Sequence, residues 1–294
     1  MLITLHGVRG SIPVPGPQTI RYGGNTTCIS ITTDEGDQII IDGGTGIREY
    51  GMKQMTALPL TAHLFLTHTH WDHIQGLPFY TPLFVPGNTI HFYGSFDPVY
   101  RKNLQTILAQ QMEYCYFPVR ESELKASIHY HRIQEGAPIT IGSAVVTPIL
   151  LNHPVLNHGY RVTSHGKSFF FTGDYEPTQN IYTPEDEEFE SFQNLIREQN
   201  QSLVDFIRGV DVAVLDSQYT HEEYQSRIGW GHGTFHSSFE LAKAAEIKHA
   251  YFTHHDPMRT DDQLDAIYAR LCETFKLPSG LNVTMAREAL NIQL

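Results

Sequence analysis

The segment His68-Thr69-His70-Trp71-Asp72-His73 sets three imidazoles and a carboxylate within six positions, one residue after the apolar run Leu64-Phe65-Leu66. A strand that ends there projects these side chains from one short loop, the arrangement needed to hold two divalent metals close together. His68 and His70 are two apart and can converge on one ion. Asp72 and His73 stand where the chain turns and can reach a second. Imidazole with carboxylate suits zinc, and also manganese or iron. A solvated histidine tract is the plainer reading, but it would need neither the rigid strand before it nor Gly76 and Pro78, which close it.

The spacing His-x-His-x-Asp-His resembles the motif of the metallo-β-lactamase superfamily, and the resemblance covers nearly the whole chain, because the later family elements follow in order. It implies an α+β fold, a four-layered αββα sandwich, around two divalent metal ions, with zinc first and manganese or iron as alternatives. By this resemblance Asp42, in Asp42-Gly43-Gly44-Thr45-Gly46, orients a metal-bound histidine. His153, in Leu151-Asn152-His153-Pro154, is the third ligand of the first metal, Asp174 bridges both, and His254 completes the second. The implied ligands are therefore His68, His70, Asp72, His73, His153, Asp174 and His254, with Asp72 also counted among the catalytic groups.

Taken alone, these residues say less. Seventeen histidines in 294 residues make His153 unremarkable by itself, and for Asp174 a type I turn aspartate is the lesser alternative. Both stand at strand ends beside residues that force a turn, where a rigid sandwich places its chemistry. His254 and His255 compete for one role. Strand alternation points them to opposite faces, and the family position selects His254.

His232 has a different job. In Gly229-Trp230-Gly231-His232-Gly233-Thr234 it lies on a glycine-flanked loop before the helical pattern Phe239 to Ala245. In the phosphodiesterase branch of the superfamily, which includes tRNA 3′-processing ribonucleases and phosphonate-pathway cyclic phosphodiesterases, a histidine in this place contacts the scissile phosphate or protonates the leaving oxygen. An imidazole can do either near neutral pH. Gly233 departs from the usual Gly-His-Ser/Thr pattern and leaves helix capping to Thr234 or Ser237. The segments His6 to Pro13 and Arg21 to Cys28 resemble the opening of cyclic-nucleotide-phosphodiesterase-like members, and there Arg9 and Asn25 are expected to contact substrate.

Strand-like runs at 2–6, 28–33, 38–42, 62–67, 90–94, 143–150, 159–163, 168–172, 212–216 and 250–253 must position these groups. No linker or repeat divides them, so a single domain over 1–294 is expected, with 40% hydrophobic residues to fill its core. Two insertions interrupt the pattern. Residues 79–120 follow the metal loop directly and carry an amphipathic stretch from Val99 to Met112 and the aromatic group Tyr114 to Pro118; the segment can overhang the active site and shape its pocket, although the aromatic group reads as core. Residues 175–209 carry eight acidic and two basic side chains and a helix ending near Gly209, and read as a solvated element.

A net charge of −12 with only seven lysines disfavours a long polyanion, whose affinity comes from cationic side chains neutralising phosphates. No long basic arm of the tRNA-processing kind is present. A small phosphodiester fits, because the metals supply positive charge where it is needed. Cys28, Cys115 and Cys272 have no CxxC spacing, so free, mostly buried thiols in a reducing compartment are expected. The opening Met1-Leu2-Ile3-Thr4-Leu5 reads as a first strand, no run of eighteen apolar residues exists, and a cytoplasmic protein without a membrane partner follows.

These readings converge on a binuclear metal-dependent phosphodiesterase cleaving a cyclic nucleotide or related cyclic phosphate by attack of a metal-bridging hydroxide. Hydrolysis of a carboxylic ester, lactone or thioester is the alternative on the same metals. A non-catalytic metal-binding sensor is the alternative of another class. Many relatives are dimers, which makes a homodimer part of the expectation.

Overall fold

In strands such as Gln38–Ile41 and Lys167–Phe171 every second side chain faces the same side of a sheet, and here both sides are buried. The computed structural model describes residues 1–294 and builds these strands into two seven-stranded sheets. The first contains β1 (Leu2–Gly7), β2 (Cys28–Thr32), β3 (Gln38–Ile41), β4 (Thr61–Phe65), β5 (Thr89–Gly94) and β6 (Ser127–Arg132). The second contains β7 (Ile139–Ile141), β8 (Ala144–Leu151), β9 (Asn157–Ser164), β10 (Lys167–Phe171), β11 (Val212–Asp216), β12 (His249–Thr253) and β13 (Asn282–Met285). A last strand, β14 (Leu290–Gln293), returns to the first sheet and pairs antiparallel with β1. From β3 to β6, and again from β10 to β13, neighbours run parallel.

The inner faces meet in one buried cluster, where Ile39, Ile41 and Phe65 pack with Val146, Tyr160, Phe169 and Phe171. Phe170 points the opposite way from Phe169 and Phe171, into the outer layer of the second sheet. Seven helices complete the layers: α1 (Ile47–Gln54), α2 (Trp71–Ile74), α3 (Leu104–Gln111), α4 (Phe189–Ile207), α5 (His221–Tyr224), α6 (Phe235–Ala244) and α7 (Asp261–Thr274). Residues of α1 and α3 cover Ile40, Leu64 and Ile90 on one outside. Residues of α4, α6 and α7 cover Phe170, Leu215 and Phe252 on the other. The layering is helix, sheet, sheet, helix, as the resemblance implies.

Four strands escape a sequence reading. β6 is Ser-Ile-His-Tyr-His-Arg, an edge strand with little apolar alternation, and β7, β13 and β14 are short edge or terminal pieces. The amphipathic stretch expected from Val99 becomes helical only at Leu104, because Asn103 caps it by accepting a bond from the Thr106 amide at 2.8 Å. Tyr114 and Tyr116 are exposed, so that aromatic group is not core. The thiols also depart from expectation: Cys28 is buried, whereas Cys115 and Cys272 are exposed. The acidic insertion does contain a helix, α4, which stops before Gly209, a glycine at φ 67°. No helix is long and apolar enough to cross a membrane.

Candidate metal centre

One end of the sandwich collects the turns that follow β3, β4, β8, β10, β11 and β12, and each delivers a candidate residue. After β3, Asp42 adopts φ 62° and is completely buried. Its carboxylate accepts the Thr67 amide at 2.8 Å and faces His73 Nδ1 at 2.7 Å. That contact places the His73 proton on Nδ1 and turns a bare Nε2 inward. The same device recurs. His254 Nδ1 is held by Gln218 Oε1 at 2.9 Å, and His153 Nδ1 by the Gly231 carbonyl at 2.9 Å. His68 Nδ1 lies 3.1 Å from the Thr67 hydroxyl, which itself donates to Asp42.

The freed nitrogens converge on Asp174 from two sides. Its Oδ2 faces His68 Nε2 at 3.5 Å and His153 Nε2 at 3.8 Å, and His153 Nε2 lies 3.1 Å from His70 Nδ1. Its Oδ1 faces His73 Nε2 and His254 Nε2, both at 3.1 Å, while Asp72 Oδ2 sits 3.2 Å from His254 Nε2. Two donor sets result, His68, His70, His153 and Asp174 in one and Asp72, His73, Asp174 and His254 in the other, each with its ligand atoms within 4.8 Å of one another.

Divalent ions fit this arrangement. His68 Nε2, His73 Nε2 and Asp174 Oδ1 are buried and make no hydrogen bond, which is costly for polar atoms that nothing else satisfies. Charge tells the same story. Burial drives the His68 imidazole well below its ordinary value and takes His70 down to about 4, so both stand neutral and ready to coordinate. Burial also opposes charge on His73 and His254, yet the Asp174 and Asp72 carboxylates raise His73 well above its ordinary value and His254 to about 9. Those carboxylates are in turn held well below theirs, against the effect of burial. Carboxylates that draw protons onto buried imidazoles are short of a cation.

His232 belongs to neither set, although its Nδ1 lies 3.8 Å from Asp174 Oδ2. Its Nδ1 is 3.0 Å from Asp216 Oδ2, which also accepts the Tyr175 amide at 3.0 Å, and its side chain is 12% exposed at the mouth of the site. Asp174, Asp216, His232 and His254 form a third cluster of donors. Within it, however, His232 and His254 turn Nδ1 edges toward Asp216, at 3.0 and 4.0 Å, and the His254 Nδ1 is already committed to Gln218. We therefore read Asp216 as a clamp on His232.

Asp216 and Glu176 were not singled out from sequence. Asp216 ends the apolar strand Val212–Asp216, a signal it shares with Asp42 and Asp174 near their strand ends. Glu176 lies in the acidic insertion. Its carboxylate accepts the amides of Gly229 at 2.8 Å and Gly231 at 2.6 Å, fixing the loop that carries His232. Gly231 has φ 91°, and a Cβ there would sit 2.4 Å from His153 Nδ1, so only glycine lets this loop approach the ligand.

Arg9 and Asn25 require correction. Arg9 is 0% exposed: its Nε donates to the Gly23 carbonyl and its Nη1 to the Arg259 carbonyl, both at 2.8 Å, with Asp261 at 3.6 Å. It ties the first loop to the start of α7 and cannot reach a substrate. The Asn25 side chain donates to Glu288 at 3.1 Å, and the Asn25 backbone carbonyl accepts the Val8 and Arg9 amides. Nearby, the Ser11 amide donates to Asp72 Oδ2 at 2.7 Å, which is this loop's direct contribution to the site. Replacing Arg9 by Ala should lower unfolding free energy by about 3–5 kcal/mol, the cost of breaking a buried charge network. Denaturant titration should show this loss with KM unchanged, whereas a substrate contact would give the reverse.

His255, the rejected competitor of His254, turns away and bonds the Ala286 carbonyl at 2.8 Å. His254 itself has φ 60°, and that backbone twist separates the two rings.

Two cavities meet here. One of about 440 Å³ opens over the metal centre and is rimmed by Ser11, Trp71 and His232. The other, of about 710 Å³, lies beside it, with His68, Thr69 and His153 on its inner wall.

A family model described as a beta-lactamase superfamily domain matches residues 37–255, from just before Asp42 through His254. The chain belongs to the metallo-β-lactamase superfamily. Among curated proteins it is similar to an uncharacterised protein of Mycobacterium tuberculosis, 26% identical over 229 residues, which are 74% of this chain and 68% of that one. It is also similar to ribonuclease Z of Staphylococcus carnosus, 29% identical over 57% of this chain and 52% of that one. Its fold resembles that of a diphosphatase from the PhnP family, with TM-score 0.64 and 20% identity over 100% and 97% of the two chains. Arg9 and Asn25 lie outside the span of the superfamily match.

Proposed function

We propose that this superfamily member hydrolyses a small phosphodiester, of the cyclic nucleotide or cyclic phosphate kind, at a pair of divalent ions. The observation that carries the reading is the division of Asp174, whose two oxygens face separate histidine sets. Neutral imidazoles with carboxylates suit zinc first, then manganese or iron. Bound there, such ions supply Lewis acidity toward phosphoryl oxygens and lower the pKa of water from ~15.7 to about 7.

The chain's own residues do the rest. Asp42, Gln218 and the Gly231 carbonyl fix the imidazole orientations through hydrogen bonds at 2.7–2.9 Å. Asp216 holds His232 Nδ1, which leaves the Nε2 edge of a ring at the cavity mouth to donate to a departing alkoxide. Names among the similar proteins, ribonuclease Z and a diphosphatase, support phosphoester chemistry. The net charge of −12 and the withdrawal of Arg9 into the fold support a small substrate over a long nucleic acid. With the reading goes a cytoplasmic setting, in which unpaired thiols persist.

A second reading, hydrolysis of a carboxylic ester or thioester, is favoured by the 710 Å³ cavity, whose walls carry no lysine or arginine. The two part on a simple assay. Bis-p-nitrophenyl phosphate should be cleaved with zinc or manganese, while acyl esters and lactones turn over far more slowly. Efficient lactone hydrolysis without diesterase activity would reverse the order.

A further inference from the structure

We propose that the 710 Å³ chamber is the specificity subsite of this centre, receiving an uncharged, flat apolar arm of the diester and rejecting a second anionic group. The proposal rests on the diesterase reading and names what that reading leaves open.

Three separated segments build most of the chamber: residues 95–100 after β5, residues 149–156 around His153, and one side of α4. Along α4, Phe192, Leu195, Gln199 and Leu203 recur at three- and four-residue steps and so share a stripe. Ile196 and Ile207 of the same helix are buried in the core. The apolar stripe of the helix thus runs from the core, where Leu203 is buried as well, to the cavity, where Phe192 and Leu195 lie. Apart from histidine, the only acidic or basic side chains on the walls are the carboxylic acids Asp97 and Glu135. An incoming anion meets repulsion there and no cationic partner.

Exposure gives a second, independent sign. Val99, Tyr100, Leu150, Val155, Leu156 and Leu195 all line this cavity and are all exposed large apolar side chains. A contiguous apolar surface of this kind on a soluble chain marks a place where something binds. Its volume suits a small ligand, and His68 and His153 on its inner wall join it to the metal centre. Those features commit the occupant to the substrate itself. The amide side chains Gln199 and Asn200 can hydrogen-bond a neutral heteroaromatic ring, of which a nucleobase is one kind.

The test uses p-nitrophenyl phosphodiesters that share one leaving group and differ in the other arm: methyl, benzyl and 4-carboxybenzyl. In parallel, methylphosphonate and benzylphosphonate are titrated into the metal-loaded enzyme by calorimetry, a readout that needs no turnover. Burying the ring should favour benzyl over methyl by about 10–100-fold in both kcat/KM and affinity. The 4-carboxybenzyl ester should lose that advantage. Leu195→Lys should abolish the benzyl preference and restore the 4-carboxybenzyl ester relative to benzyl.

Equal treatment of methyl and benzyl in both measurements overturns the proposal. Discrimination in binding with no diester cleaved leaves the subsite standing and removes the diesterase reading. Should light scattering show a dimer that Leu195→Lys dissociates, with no discrimination in the wild type, the chamber is an interface between copies and the proposal fails.

Discussion

Chain prepared without chelators is expected to carry two divalent ions, and Asp174→Ala no more than one. The expectation follows from geometry. Asp174 is buried to 1% exposure, and its two oxygens are directed to different histidine sets. Removing it deprives each set of its shared carboxylate and leaves His73 and His254 without the acid that raises their basicity. Asp42→Ala should act differently, because it only orients His73; losing such an orienting partner typically costs 10–100-fold in metal affinity. Elemental analysis after gel filtration, in saturating zinc or manganese, checks both. No more than one ion in the wild-type chain would sink the two-metal centre.

His232→Ala should keep both ions and the fold yet lose about 10²–10⁴-fold in rate, the usual contribution of a positioned acid or base. The loss should shrink for a diester with a good leaving group such as p-nitrophenolate, which scarcely needs a proton. Asp216→Asn should fall between wild type and His232→Ala, since the ring stays but its partner no longer carries charge. If the ion content drops with His232→Ala, the third donor cluster is a true ligand set and His232 is a ligand. Equal losses on good and poor leaving groups would instead restrict His232 to an electrostatic contact with the phosphate.

The residues that converge at the centre were legible because each stands just past a strand, and strand ends can be read from apolar runs bounded by turns. His68 to His73 carry their spacing in one loop, and the resemblance supplied an order for His153, Asp174 and His254. Residues whose meaning depends on distant partners were not legible. Arg9 looks like a phosphate contact in a glycine-rich loop, and only the fold brings Arg259 and Asp261 around its guanidinium. Glu176 lies in a charge run that reads as solvated, yet it accepts two loop amides and the Tyr224 hydroxyl. Asp216 is a single acid at a strand end, and nothing local distinguishes it from a turn residue. Of the chamber, only the wall from the insertion at 79–120 was legible; the walls from the turn around His153 and from α4 come from segments that meet only when the sandwich closes.

The origin of the donors has a mechanical consequence. His68, His70, Asp72 and His73 hang from the first sheet, whereas His153, Asp174 and His254 hang from the second. Each donor set draws on both sheets, so every captured ion is a rivet through the seam of the sandwich. Prying the layers apart at that end means surrendering the ions, and free metal therefore resists unfolding by mass action, increasingly as its concentration exceeds its dissociation constant. Metal supply would then govern how long the folded chain endures as well as how fast it works.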